Sequence, residues 1–147
     1  MPPWRKWQQE GRERIDIVVD SGASTSMLPR TVAQDHAIKP SLQSNVYKTA
    51  SKNEVRCDGD KDLVCGFMTG SELKTSWEVG DIHRPLSSVN KMVKAGNCVY
   101  FDTEQNGGCY VYNYQTGETM EIYEKDGIYV LPAWIKKPDF QWQAQQP

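Results

Sequence analysis

The sequence predicts a mostly-β fold: a small barrel or sandwich with one short helix, followed by a C-terminal antiparallel β-meander. Two observations support this prediction. Short β-branched or aromatic runs alternate with turn-forming residues along most of the 147-residue chain, and only one segment combines a clear helix start with a clear helix stop. No repeat of fixed period occurs, which excludes a solenoid or a propeller.

In the N-terminal half, residues 15–19 are β-branched and nearly continuous in apolar character, as in a buried strand. Residues 29–38 are expected to form one or two helical turns, because Pro29 suits the first position of a helix. Residues 46–49 and 54–57 predict a hairpin with an exposed tip, and two further strands are expected over 63–68 and 73–79.

The C-terminal half begins with the best-delimited helix of the chain. Ser87 or Ser88 caps its start, it runs through Val93, and Gly96 ends it in the C′ position. Strands are then expected over 98–101, 109–112, 120–123 and 128–131, each separated from the next by turn residues. Three hairpins in a row predict an antiparallel meander.

Both ends of the chain differ in composition from its middle. Residues 1–14 are polar and charged without clear periodicity, and residues 135–147 are rich in Gln and Pro. We therefore expect one folded domain over residues 15–134, with flexible segments before and after it.

Charge and hydropathy exclude several classes of partner. The chain has seventeen Lys and Arg and nineteen Asp and Glu, for a net charge of -2. Basic residues do not cluster in any stretch, so the sequence does not predict nucleic-acid binding. No run is long and apolar enough for a membrane span or a signal peptide, which predicts a soluble cytoplasmic or intracellular protein with its four cysteines reduced.

The strongest candidate for chemistry is the turn that follows the first strand. Asp20, Ser21 and Gly22 form an Asp-Ser-Gly triplet, in which a carboxylate is held by a small hydroxyl residue and a glycine. Hydrolysis by aspartates needs two carboxylates that share one proton, and no second such triplet exists in this chain. An active site therefore requires two chains. The alternative is an ordinary turn, which the same residues favour.

A wider pattern separates these alternatives. Residues 19–26, Val-Asp-Ser-Gly-Ala-Ser-Thr-Ser, resemble the start of the proteases in copia-type retrotransposon Pol polyproteins. Residues 81–93 resemble the stretch in which that family opens its last helix, and 96–101 resemble its Gly-x-x-Val-x-Phe continuation. Residues 116–118 and 127–131 resemble a later hairpin and strand of the family, so the resemblance covers about residues 15–134.

The resemblance implies a retropepsin-like fold and an aspartic endopeptidase that acts as a homodimer on a polypeptide, its own polyprotein. Asp20 and its symmetry mate would activate water, Ser21 would brace the pair, and Gly22 would admit close backbone approach. Substrate-binding and flap residues would be Ala23, Thr49, Ala50, Ser51, Lys52 and Asn53.

Two departures from the family pattern support an alternative function. The candidate flap tip lacks glycine, and residues 86–88 read Leu-Ser-Ser where retroviral proteases usually have a glycine after two apolar residues. The alternative is a catalytically inactive domain of the same fold that acts as a dimerisation or peptide-binding module.

Other residue types give weaker signals. His36, His83 and the four cysteines lack the spacings of a metal site, so we predict neither a metal nor another cofactor. Five tyrosines between 110 and 129 suit either cross-strand packing or a platform on which bases or sugars stack.

Overall fold

A computed structural model of the chain describes residues 1–41, 46–48 and 54–138. Ten strands occur in this part of the chain: β1 (Glu13–Asp20), β2 (Met27–Pro29), β3 (Val46–Lys48), β4 (Glu54–Phe67), β5 (Glu72–Gly80), β6 (Leu86–Ser88), β7 (Asn97–Tyr100), β8 (Cys109–Asn113), β9 (Thr119–Lys125) and β10 (Ile128–Ile135). Its helices are α1 (Arg5–Gln9), α2 (Val89–Lys94) and a short 3₁₀ helix (Glu104–Asn106). The mostly-β prediction is confirmed.

Six of the strands close into a ring, which we call the barrel. Their hydrogen-bonded order is β4-β5-β2-β6-β1-β10, and β10 returns to β4. One edge of β10 pairs with β1 along most of its length. The other edge pairs with β4 near Ile135 and with β9 near Ile128, so β10 both closes the barrel and begins the next part of the sheet.

That next part is the expected meander, formed by β7, β8 and β9 beside β10. Consecutive strands pair antiparallel in the order β10-β9-β8-β7. The three predicted hairpins are confirmed. β7 stands at the end of the described sheet order, with β8 as its neighbour on one side.

Barrel and meander share one hydrophobic core. Ile15, Ile17 and Leu63 of the barrel belong to the same buried cluster as Val111 and Ile122 of the meander. In β1 the buried positions alternate with more exposed ones, as expected of a strand with one face against a core. Burial of these side chains supplies the main driving force for folding.

The predicted helix after residue 86 is confirmed, together with both of its end signals. The Ser88 side chain accepts a hydrogen bond from the backbone N–H of Lys91, which is the interaction of an N-cap. Gly96 follows the helix with φ of 92°, a left-handed conformation that glycine adopts without a Cβ penalty.

The helix expected over residues 29–38 is wrong. Pro29 lies in β2 and pairs with Gly80 of β5. Turns follow it, and the buried Ala33 takes a left-handed conformation with φ of 54°. Two side chains from distant strands hold that turn: Glu13 accepts the Ala33 N–H at 3.2 Å, and the Lys61 ammonium donates to its carbonyl at 2.9 Å. Tertiary contacts therefore override the local helix signal.

The expectation that residues 1–14 lie outside the folded unit is also wrong. Trp7 of α1 is only 3% exposed, and its indole N–H donates to the Phe67 carbonyl at 2.9 Å. Gly66 makes room for the ring, since a Cβ there would lie 2.4 Å from Trp7 Cε2. The Arg12 guanidinium lies over the Trp7 ring, 4.1 Å from its centroid, and forms an ion pair with Glu72.

The hairpin and the C-terminal boundary lie close to their predicted positions. β3 and β4 form the expected hairpin, and its tip, residues 49–53, lies outside the described residues. β4 continues through both strands expected over 54–57 and 63–68, with an irregularity between Cys57 and Gly59. β10 extends to the buried Ile135, one residue beyond the predicted domain boundary.

Candidate active site

Asp20 is the last residue of β1, where the buried strand meets the surface. The strand brings it beside β6 in parallel register, with Asp20 opposite Ser88 and Val19 opposite Ser87. β6 in turn pairs with β2, so it lies between two strands that only a six-residue turn, residues 21–26, connects. This topology anchors both ends of the turn that carries the carboxylate.

The carboxylate itself is oriented by its own turn. The backbone N–H of Gly22 donates to Asp20 Oδ1 at 2.8 Å. A Cβ on Gly22 would lie 3.4 Å from the same oxygen, which is an ordinary contact distance. Within one chain, therefore, residue 22 orients the carboxylate through its backbone N–H, and the absence of a side chain at this residue has less effect on the carboxylate.

Ser88 holds this turn in place by hydrogen bonds. It is fully buried, and its hydroxyl donates to the Ala23 carbonyl at 2.7 Å while accepting the Lys91 N–H at 3.3 Å. Its backbone N–H donates to the Ser26 hydroxyl at 3.1 Å. Both the start of α2 and the turn after Asp20 therefore depend on the Ser88 side chain. Its buried hydroxyl both donates and accepts a hydrogen bond.

A cleft of about 370 Å³ opens beside Asp20. Its described lining consists of Val18, Val19, Asp20 and Ser21 from the first strand and turn, and Phe101, Gly127, Ile128 and Tyr129 from the meander. The rings of Phe101 and Tyr129 meet edge to face, with centroids 4.9 Å apart. The meander thus contributes two aromatic rings and Ile128 to the cleft, which are the kinds of side chain that contact organic groups in binding clefts.

Among the described residues that line this cleft, Asp20 is the one carboxylate. A general acid and a general base cannot both come from one aspartate at the same step. The chemistry of paired aspartates would therefore need a carboxylate from a second molecule. Ser21 is exposed at the rim of the cleft, where a second molecule would reach it.

The predicted site residues fall into two groups. Asp20 and Ser21 line the cleft, Gly22 bonds the carboxylate, and Ala23 receives the hydrogen bond from Ser88. Thr49 and the other four flap residues, Ala50, Ser51, Lys52 and Asn53, lie outside the described residues, so their predicted place over the cleft stays a prediction.

Sequence reasoning missed the aromatic wall and the brace. Phe101 and Tyr129 come from strands and loops more than eighty residues beyond Asp20 in the sequence, and only the pairing of β10 with β1 brings them near. Ser88 was singled out as a helix cap, and that role is confirmed. Its second bond, to Ala23, has no local sequence signal.

Metal binding and reactive thiols have little support among the described residues. The described residues contain no group of three or more His, Cys, Asp or Glu placed to hold a metal ion. The four cysteines are free, and burial raises the pKa of the Cys57 and Cys65 thiols to about 11, which disfavours the reactive thiolate. No helix in the described part of the chain is long and apolar enough to cross a membrane.

Comparisons with known proteins give no assignment: no protein-family model, curated protein or solved structure matches the chain. The geometry around Asp20 must therefore carry the functional argument.

Proposed function

We propose that this protein is an aspartic endopeptidase that works as a homodimer, with one Asp20 from each chain. The observation that carries the proposal is the placement of Asp20. A single carboxylate ends a buried strand, accepts a backbone N–H at 2.8 Å, and lines a cleft that it shares with the rings of Phe101 and Tyr129. Its turn is held by the buried Ser88.

In the proposed mechanism two Asp20 side chains meet across a two-fold axis and share one proton. The ionised carboxylate accepts a proton from water as the water attacks the scissile carbonyl, and the protonated one donates to the carbonyl oxygen. Ser21, exposed at the rim, would brace the pair from the partner side. Phe101 and Tyr129 would contact an apolar side chain of the substrate, which we infer to be a polypeptide, including the protein's own precursor.

The first test compares cleavage of a mixed peptide library at mildly acidic pH by the parent, Asp20→Asn and Asp16→Asn. Asp16 is the matched control, because it lies in the same strand and receives the same substitution. We expect the rate per chain of the parent to rise with protein concentration, Asp20→Asn to be inactive, and Asp16→Asn to retain activity.

Mixing the parent with Asp20→Asn distinguishes a site shared by two chains from a site within one chain. At equal amounts and constant total protein, random pairing leaves about one quarter of the dimers with two aspartates. Activity should therefore fall to about one quarter of the parent value, whereas a one-chain site would fall to about one half. Cleavage that survives Asp20→Asn would overturn the proposal.

A second candidate is a catalytically inactive domain of the same fold that dimerises or binds peptides. The observation that favours it is Ser88: a bulkier, hydrogen-bonded residue occupies the position at which retroviral proteases usually have glycine. A folded, dimeric parent that binds library peptides in the cleft without cleaving them would support this candidate and exclude the first.

A further inference from the structure

The meander presents a second surface that the chemistry at Asp20 does not use. Its strand register arranges side chains in rows across β7, β8 and β9. One row, Val99, Val111 and Met120, faces the hydrophobic core. Because side chains alternate along a strand, the rows on either side face away from the core. We call this surface the outer face; it consists of Cys98, Tyr100, Tyr110, Tyr112, Thr119 and Glu121, with Tyr123 next along β9.

The outer face is aromatic and accessible. Tyr100 and Tyr110, which are cross-strand partners, stack with their ring centroids 4.6 Å apart. Tyr100 remains 49% exposed and Tyr123 39% exposed, and Tyr114 at the end of β8 is 67% exposed. Accessible tyrosine rings on one sheet face offer flat π-surfaces, which attract planar groups and cations.

The charge around these rings is strongly one-sided. Residues 97–127 contain six acidic residues and a single lysine, whereas the rest of the chain has sixteen basic residues against thirteen acidic ones. Every ion pair among the described residues lies between Glu10 and Asp81. The carboxylates of the meander therefore have no cationic partner in the part of the chain that the structure describes.

Acidic and aromatic groups meet in a shallow cleft of about 460 Å³. Glu121 and Tyr123 line it from β9, Tyr110 from β8, and Asp102 and Glu104 from the loop before β8. Glu121 already accepts the Tyr123 hydroxyl at 2.8 Å, which turns its carboxylate toward the ring. Carboxylates at the edge of a tyrosine surface suit a guanidinium or ammonium group, which can stack on the ring and bond the oxygens together.

We propose that the outer face binds an extended polypeptide segment that carries arginine or lysine side chains. The extended form follows from β7, which ends the described sheet order, because a strand at the edge of a sheet can pair with a further strand through its main chain. A strand added there would direct alternate side chains to the outer face beside Tyr100. Nucleic acid is a poorer fit, because its phosphates would meet the unpaired carboxylates. This site is independent of Asp20.

The test uses a short labelled peptide in which arginine alternates with threonine, and measures its binding by fluorescence anisotropy. The matched peptide has citrulline in place of arginine, which keeps the shape and removes the charge. We expect the arginine peptide to bind, binding to weaken as salt is raised, and the citrulline peptide to bind about tenfold more weakly or worse.

Variants locate the binding on the protein. Glu104→Gln/Glu121→Gln should weaken binding of the arginine peptide about tenfold or more, since both carboxylates lose their charge. Asp35→Asn/Glu54→Gln is the control, because it removes two exposed acids outside the meander. Tyr100→Leu should also weaken binding, since it keeps apolar area but removes the π-face. Asp20→Asn should bind like the parent.

Three results would overturn the proposal. The first is a folded parent that binds both peptides equally or neither of them. The second is a Glu104→Gln/Glu121→Gln variant, folded by circular dichroism, that binds like the parent. The third is a single-stranded oligonucleotide that binds the outer face while the arginine peptide does not, since the tyrosines would then act as a stacking platform for bases.

Discussion

The barrel and the meander share a core but leave different groups at the surface. The barrel closes on itself through β4 and β10, and its exposed charges form ion pairs such as Arg30 with Asp58 and Lys39 with Asp62. The meander ends at β7, the last strand of the described sheet order, and its acids have no cationic partner among the described residues. A closed ring suits the rigid placement of one carboxylate, whereas an open, charged edge suits contact with another chain.

The largest expected effect tests whether α1 packs against the barrel. Trp7→Ala should lower the free energy of unfolding by about 3–5 kcal/mol, because it removes a buried ring and one of the two hydrogen bonds that the Phe67 carbonyl accepts, the other coming from the Gly70 N–H. Trp4→Ala is the control: Trp4 is half-buried and stacks on Trp134 at 5.4 Å, which predicts a loss of about 1 kcal/mol. Equal losses in chemical denaturation would contradict a docked α1.

The next effect tests whether barrel and meander fold as one unit. Ile122→Ala removes a buried meander side chain and should cost about 2–5 kcal/mol. All five tryptophans lie outside residues 97–127, so tryptophan fluorescence reports parts of the protein other than β7, β8 and β9, while circular dichroism reports the whole. With one shared core, the two denaturation curves should shift together. A shift in circular dichroism alone would show that the meander unfolds separately. Tyr123→Phe, on the exposed side, is the control.

A smaller effect probes the junction between the two regions. Ser88→Ala removes the N-cap of α2 and the donor to the Ala23 carbonyl, so we expect a loss of about 1–3 kcal/mol. Ser87→Ala, one residue earlier in β6 and half-buried, should cost less. Thermal unfolding of the two variants measures the difference. If Ser88→Ala were as stable as Ser87→Ala, the hydrogen bonds of the Ser88 side chain would contribute nothing to stability.

The smallest effect concerns the paired charges of the barrel. The hydrogen bond from Arg30 holds the pKa of Asp58 below its usual range. A carboxyl whose pKa is lowered on folding stabilises the protein above its unfolded pKa, and this contribution disappears as the pH falls through the folded pKa. Arg30→Gln should therefore raise the pKa of Asp58 in an NMR titration. It should also reduce stability slightly at neutral pH, with parent and variant converging below about pH 4.

Local signals were sufficient for the hairpins, α2 and all strands except the three-residue β2 and β6, which the sequence analysis did not predict. Each depends on neighbours in sequence: β-branched alternation for β1, Ser88 and Gly96 for the ends of α2, and turn residues between β7 and β10. The segment after Pro29 failed for the opposite reason, because Glu13 and Lys61 hold a turn where the local pattern favoured a helix. The prediction for the N-terminal segment failed because the segment is polar overall, although one of its tryptophans, Trp7, packs against Gly66.

The sequence by itself determined the class of fold, the meander, and Asp20 as the residue on which a hydrolytic function would depend. Those features follow from short-range propensity and from the chemistry of a single triplet. The tertiary structure alone decided that Phe101 and Tyr129 line one cleft with Asp20, that Ser88 braces the turn after Asp20, and that Tyr100, Tyr110 and Tyr112 point away from the core. Each of these depends on strand register, which joins residues far apart in the chain and leaves no local trace.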